Sequence, residues 1–307
     1  VYRERLVLTQ MGVDFMAKSK LKGKRVDPKS FSWDQIKFYC ILIPIACLMV
    51  LPVVYMFNEA FKPLGELYAF PTTLIAKEPT FNNFKKLFEL SGTTGVPMTR
   101  YLLNSIFITL ITVILNIYIT VACAFVLSKN GQYRVTKWFF SINQMALMFV
   151  QVAVAVPRYI MIVRLGLIDT WAAHIFPLIA MPIGIFLMKQ FIDDVPDALL
   201  EAAYVDGAGN FTVIRRIILP MTRPAVATVA ILTFQSAWQA TEASNNFITS
   251  DVMKTIYYYL NALQTNNAVA SRGIVAAGTI ILFIPNLIIF ICMQSRVMST
   301  MSHSGIK

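Results

Sequence analysis

A chain of 307 residues in which 57% of side chains are hydrophobic and only 14% are charged holds about half the charge of an ordinary soluble domain, where roughly a quarter of residues are charged. The mean hydropathy of +0.62 excludes a conventional soluble enzyme or regulator and points to a protein that lives in lipid. The net charge of +11 requires no nucleic acid, since so apolar a chain has no soluble domain to carry such a surface; the basic run Lys18–Lys29 suits anionic headgroups instead.

Taken in chain order, six stretches are free of charge and about long enough to cross a hydrocarbon core: Phe38–Phe57, Tyr101–Ser128, Trp138–Pro157, Thr170–Met188, Pro224–Thr241 and Gly273–Ser295. The third runs on past Arg158 toward Val163, and the fifth extends toward Ala243. The expected layout is a basic N-terminal segment 1–37, a first transmembrane helix 38–57 and an extracytoplasmic loop 58–100. A core of five further transmembrane helices over 101–296 follows, interrupted by a cytoplasmic loop 192–223, and a tail 297–307 ends the chain. The first apolar run is of span length, so no cleavable signal is expected.

Six spans place both termini on one side. With the termini in the cytoplasm, 18 of the 27 Lys and Arg residues lie in inside segments, as the excess of basic residues in cytoplasmic loops demands. Amides recur inside or at the ends of the spans: Asn104, Asn116, Asn143, Gln144, Gln151, Gln235 and Asn286. Most are expected to hydrogen-bond between helices. Cys40, Cys47, Cys123 and Cys292 lie within apolar spans and are read as small core residues, with no disulfide or metal spacing.

No catalytic motif emerges. Gly23-Lys24 is the one Gly-Lys pair, but Lys18 and Arg25 stand where a phosphate-binding loop needs Gly and Ser or Thr. His174 and His303 are far apart, and His174 within the fourth span reads as a satisfied interhelical residue. A membrane enzyme or receptor would need an acid/His cluster or a sensor domain, and neither is visible. The chain is therefore expected to hold no cofactor or metal and to do no chemistry itself.

The informative segment is the loop after the fourth span. Pro196 suits a helix start, and Asp197 complements the positive end of that helix. Ala198, Ala202 and Val205 recur on one small, smooth face. Gly207 and Gly209 are stop signals. Asn210 is a fitting N-cap for a second helix, Phe211–Leu219, closed by Pro220, with Arg215 and Arg216 toward its negative end. The prediction is helix, tight turn, helix, with Glu201 offering a charged handle beside a surface that a partner can approach closely.

This segment resembles the signature of bacterial ABC-importer permeases. Glu201-Ala202-Ala203 is followed by three residues, Gly207, nine residues, Ile217, one residue and Leu219-Pro220. The resemblance implies an all-α integral membrane protein of the type I importer fold, with six transmembrane helices and a cytoplasmic coupling helix. Ala198, Glu201, Ala202, Ala203, Asp206 and Gly207 would then dock on an ATPase. Weaker pieces resemble the carbohydrate-uptake branch, similar to the six-span permease of the maltose transporter: Thr80–Phe84 with Leu87-Phe88, Asn104-Ser105, Arg164–Thr170 and Pro182–Phe191. That branch commonly carries Trp-Asn, an acidic residue and an aromatic after its fifth span. Here Trp238-Gln239-Ala240-Thr241-Glu242 departs from it, in keeping with a different, bulkier saccharide.

The same resemblance implies the partners. They are a second homologous permease, two cytoplasmic ATPase subunits binding ATP-Mg, an extracytoplasmic solute-binding protein and a sugar, all at the bacterial cytoplasmic membrane. The tail implies a further contact, with Gly305, Ile306 and Lys307 inserting between the ATPases. Sugars are held by amides and carboxylates on hydroxyls and by aromatic faces on the ring. Trp238, Gln239 and Glu242, with Gln144 and Gln151 seven apart on one face of the third span, are therefore the candidate pathway residues. An ABC permease for an amino acid, polyamine or phosphate is the alternative reading.

Overall fold

Proline placement and amide chemistry divide several of the apolar stretches that hydropathy reads as continuous. The computed structural model describes residues 36–71, 73, 75–90, 95–266 and 272–304. The basic run Lys18–Lys29 and the tail residues Gly305, Ile306 and Lys307 lie outside them. Helix α1, Ile36–Phe61, carries Pro44 and Pro52 inside it. Up to Val54 it belongs to one unit, Val1–Val54, and presents nearly every side chain outward. The remaining description concerns the second unit, Tyr55–Lys307.

After the short helix α2, Leu64–Leu67, the amphipathic α3, Asn82–Leu90, precedes the longest element of the centre, α4, Met98–Lys129, of 32 residues. At 1.5 Å per residue α4 measures about 48 Å, more than the roughly 30 Å apolar core. Its buried residues Tyr101, Asn104, Ser105, Ile108, Thr112, Asn116, Thr120 and Ala124 recur every three or four positions, which makes one seam along the helix. Against that seam pack α7, Trp171–Ile179, α8, Pro182–Asp193, and α11, Arg223–Trp238. Gly184 keeps the approach close, since a Cβ there would sit 3.4 Å from Val229 and 3.5 Å from Thr120.

Three apolar stretches are broken. The third is two helices, α5, Arg134–Ala146, and α6, Ala155–Arg164, joined by turns. Pro157 sits in the first turn of α6, where a missing N–H costs nothing. The fourth bends by 45° between α7 and α8. Pro182 opens α8 and cannot donate back to Leu178, so the ladder stops there. The fifth begins after an 88° bend and ends at Trp238, with a separate short helix α12, Glu242–Asn246, beyond it.

Among the described residues three helices are long and apolar enough to cross a membrane, and up to five crossings result if each bent pair counts as one. Of the six spans read from hydropathy, the one over 138–157, extended toward Val163, is the one that no such helix or bent pair covers, because it is divided between α5 and α6. Helices α13, Ile256–Asn266, and α14, Arg272–Ser304, are the last of the described elements. The architecture is all-helical, with no strand among the described residues.

Three apolar clusters hold the second unit together. One joins Ala60, Leu87, Met98, Tyr101, Ile256, Leu260 and Ala277, a second Val121, Phe125, Met188, Ile192, Leu200, Val213 and Val229, and a third Ile162, Ala173, Ala243 and Phe247. The turn between α6 and α7 is fastened to this last cluster by Asp169, whose φ is 58°. Its carboxylate accepts from the N–H groups of Ser250 (3.0 Å) and Thr249 (3.1 Å). These bonds, Ser250 foremost, hold its carboxyl below the usual carboxylate range.

Amides placed in spans do pair across helices. Asn104 donates to the Val252 and Lys254 carbonyls at 2.8 and 2.9 Å, and Asn143 to Pro182 at 3.1 Å. Asn286 instead bonds Leu282 within its own helix. His174 is buried and bonded to the Met253 carbonyl. The cysteines are a correction, because all four are exposed on this chain.

Candidate functional site: a presented helix-turn-helix and a cleft at three helix breaks

The loop after α8 is built from its anchors outward. Lys129, the last residue of α4, donates to the Val195 carbonyl at 2.9 Å and the Asp197 carboxylate at 2.8 Å. Ser128 donates to Asp193. Helix α9, Asp197–Val205, follows with Pro196 as its cap. It ends in a Schellman turn: the Ala208 N–H reaches the Ala203 carbonyl at 2.9 Å, and Gly207 takes a φ of 82°, the left-handed conformation glycine adopts without strain. Tyr204 closes the hairpin by donating to Asn210 Oδ1 at 2.9 Å.

The second helix differs from expectation. Gly209, in extended backbone, is its cap, and Asn210 is its first helical residue. The helix α10, Asn210–Val213, passes into a π turn, Ile214–Ile218, and a last turn, Leu219–Met221. Pro220 has no N–H to return to Arg216, and the Leu219 N–H reaches back to Ile214 instead.

Leu200, Val213 and Ile218 are buried beneath this hairpin, so its other face must point out. Ala198, Glu201, Ala202 and Asp206 are exposed and Ala203 is half-buried. Val205 is 87% and Phe211 69% exposed, an apolar knob on an anchored support. Glu201 edges a groove of about 460 Å³ that runs along Phe125, Lys129, Tyr204 and Asn210.

A second cavity, of about 540 Å³, forms where the three broken stretches meet. It is lined by Phe149 and Gln151 from the first break, Ala180 and Pro182 from the second, and Ala240, Thr241 and Glu242 from the third, with Arg158, Thr233 and Ser236. The Arg158 guanidinium is ion-paired to Glu242 Oε2 and donates to Gln151 Oε1 at 2.6 Å. Glu242 Oε1 is sealed from solvent and has no hydrogen-bond partner among the described residues. Breaks of this kind leave backbone and side-chain polar groups facing a cavity within the membrane.

The five pathway residues expected from sequence separate. Gln151 and Glu242 reach the cleft. Trp238 does not: it is buried, stacks on Phe234 at 5.7 Å and donates its N–H to the Leu282 carbonyl at 3.1 Å. Its ring faces a separate groove, apolar but for Thr109, with Leu102, Ile106 and Ile284. Gln239 and Gln144 are exposed but lie outside the cleft lining. The shared helical face of Gln144 and Gln151 does not exist, because α5 ends at Ala146 between them. Arg158 was missed as a site residue; an ionisable side chain at the edge of an apolar stretch was the available signal.

Residues 40–295 match the sequence family described as binding-protein-dependent transport system inner membrane component. The chain is 27% identical over 271 residues to the galactooligosaccharides transport system permease protein GanQ of Bacillus subtilis (strain 168), covering 88% of this chain and 94% of that one. It is 26% identical over 266 residues to the trehalose transport system permease protein SugB of Mycobacterium tuberculosis (strain CDC 1551 / Oshkosh), covering 84% and 92%. Its fold is that of a chain in the crystal structure of a bacterial ABC transporter involved in the import of the acidic polysaccharide alginate. The TM-score is 0.71 at 21% identity, covering 87% of this chain and 98% of that one.

Proposed function

Because the chain belongs to the family of binding-protein-dependent transport system inner membrane components, we propose that it is the membrane-spanning permease of an ATP-driven importer for a sugar or oligosaccharide. The observation that carries this reading is the presented hairpin. Small and apolar side chains at Ala198, Ala202 and Val205 on α9 and at Phe211 on α10 stand out from a helix-turn-helix whose other face is locked into the protein by Leu200 and Val213. Such a knob transmits force only if something grips it. The gripping partners are two cytoplasmic ATPases, which bind and hydrolyse ATP-Mg, while this chain binds no nucleotide. The substrate class rests on the relatives, which are named for galactooligosaccharides and trehalose.

In this reading the segment 134–164 counts as one broken crossing, six crossings result, and both termini lie in the cytoplasm. A second, homologous permease completes the pathway, and an extracytoplasmic binding protein delivers the solute. When the ATPases close, the paired hairpins approach each other and the helix bundles rock about the cleft, so that access alternates between the two sides. Gly305, Ile306 and Lys307 add a second hold on the ATPases.

The test is solute-stimulated ATP hydrolysis by the purified complex. Ala202→Trp places an indole on the small face and should reduce stimulation at least tenfold. Glu201→Ala removes a charged hydrogen-bonding partner worth about 2 kcal/mol, roughly thirtyfold in ATPase affinity. Both variants should leave the membrane helices folded. Normal stimulation in Ala202→Trp would defeat the proposal.

A further inference from the structure

We infer that the cleft at the three helix breaks is charge-balanced and that the Arg158–Glu242 pair selects an uncharged, polyhydroxylated solute over an acidic or cationic one. This rests on reading the chain as a solute permease and adds the solute's charge class.

Among the described residues lining the cleft, Arg158 and Glu242 are the two that carry charge. They come from different elements, α6 and α12, and neutralise each other directly. The surroundings offer little to replace either partner. Gln151 gives Arg158 one amide oxygen, and the other oxygen of Glu242 has no donor among the described residues. A solute carboxylate that captured Arg158 would strand Glu242 beside a second negative charge, in a half-buried site where screening is weaker than in bulk water. A solute ammonium that captured Glu242 would strand Arg158 in the same way.

A hydroxyl does neither. It donates and accepts, so one sugar O–H can donate to the carboxylate while its oxygen accepts from the guanidinium, and the pair remains intact. Two guanidinium N–H groups are used by Glu242 and Gln151, and the others have no partner among the described residues. Ser236, exposed to the cleft, supplies a further hydroxyl. The lining therefore suits a neutral saccharide, with acceptors and donors but no net field.

The field can be read without knowing the solute. In the complete importer, with Cys40, Cys47, Cys123 and Cys292 changed to Ser, Ser236→Cys reports the cleft. Its rates are measured with methanethiosulfonates bearing a sulfonate, a trimethylammonium or a hydroxyethyl group. Normalised to a free thiol, the three should react alike. Glu242→Gln should raise the anionic-to-neutral rate ratio about tenfold and Arg158→Gln the cationic-to-neutral ratio about tenfold, as focusing by an uncompensated charge predicts. The double variant should restore both ratios, which a merely structural role would not do. Ratios unmoved by the single variants overturn the inference.

Uptake of maltopentaose and of pentagalacturonate by cells expressing the importer gives the second reading. Uptake of pentagalacturonate overturns the charge selection while leaving the permease role standing. Uptake of amino acids in place of any saccharide overturns the proposed substrate instead, and the thiol ratios then decide the charge balance alone.

Discussion

At the scale of single residues, Asn116 shows how one amide fixes a bend. It is fully buried at the middle of α4. Its N–H groups reach the carbonyls of Ile179 at 2.7 Å and Leu178 at 3.3 Å. Those carbonyls end α7 and lose their helical donors because the chain turns at Ala180 and Pro182 has no N–H. Its Oδ1 accepts from Thr233 at 3.0 Å and Thr120 at 3.3 Å, so all its polar capacity is used. Asn116→Leu should leave two carbonyls unpaired in an apolar setting and destabilise the chain by about 1–2 kcal/mol. A lower thermal midpoint of the detergent-purified protein is the readout, and an unchanged midpoint would mean that the bend stands without the amide. The sequence identified Asn116 as a polar residue needing a partner, but not which partner, because the carbonyls it serves lie 62 and 63 positions away. Trp238 was misplaced for a related reason. Its type suits either a sugar ring or a buried packing site, and only the nearby Leu282 carbonyl decides between them.

At the scale of elements, hydropathy finds apolar stretches and overlooks their breaks. The segment from Trp138 to Pro157 contains no charge, yet α5 stops at Ala146 and α6 starts at Ala155. An apolar run satisfies the membrane whether it is straight or broken, provided that the freed backbone groups face protein or a cavity. Close approaches between elements are equally invisible. Asn83 on α3 donates to the carbonyls of Ala60 and Lys62 at 2.9 and 2.8 Å, and Gly273 on α14 lies directly against it. A Cβ at Gly273 would fall 2.6 Å from the Asn83 amide nitrogen. Gly273→Ala should therefore push Asn83 off both carbonyls and cost about 1–3 kcal/mol. Asn83→Ala should abolish most of that added cost, because the clash disappears with the amide. A thermal-melting double-mutant cycle measures it, and simple additivity of the two losses would show that the glycine does not act through Asn83.

At the scale of the whole molecule, the orientation drawn from basic residues makes a prediction of its own. In a cysteine-free background in intact cells, Ile75→Cys, on a residue 74% exposed, should react with an impermeant thiol reagent added outside. Gln132→Cys and Phe211→Cys, both at exposed positions, should react only after the membrane is opened. The reverse pattern would invert the topology and place the hairpin away from any cytoplasmic ATPase. The residence in lipid, the all-helical class and the helix-turn-helix with its small outer face were determined by the sequence alone. Composition, glycine and proline positions and the period of small residues are local properties, and they act within a turn or two of where they are written. The breaks that open the cleft, the pairing of Arg158 with Glu242 84 positions away, and the burial of Trp238 away from that cleft were decided only by tertiary structure. Each depends on which distant donor or acceptor is brought within about 3 Å, and in an apolar medium that choice settles where a polar group can stand.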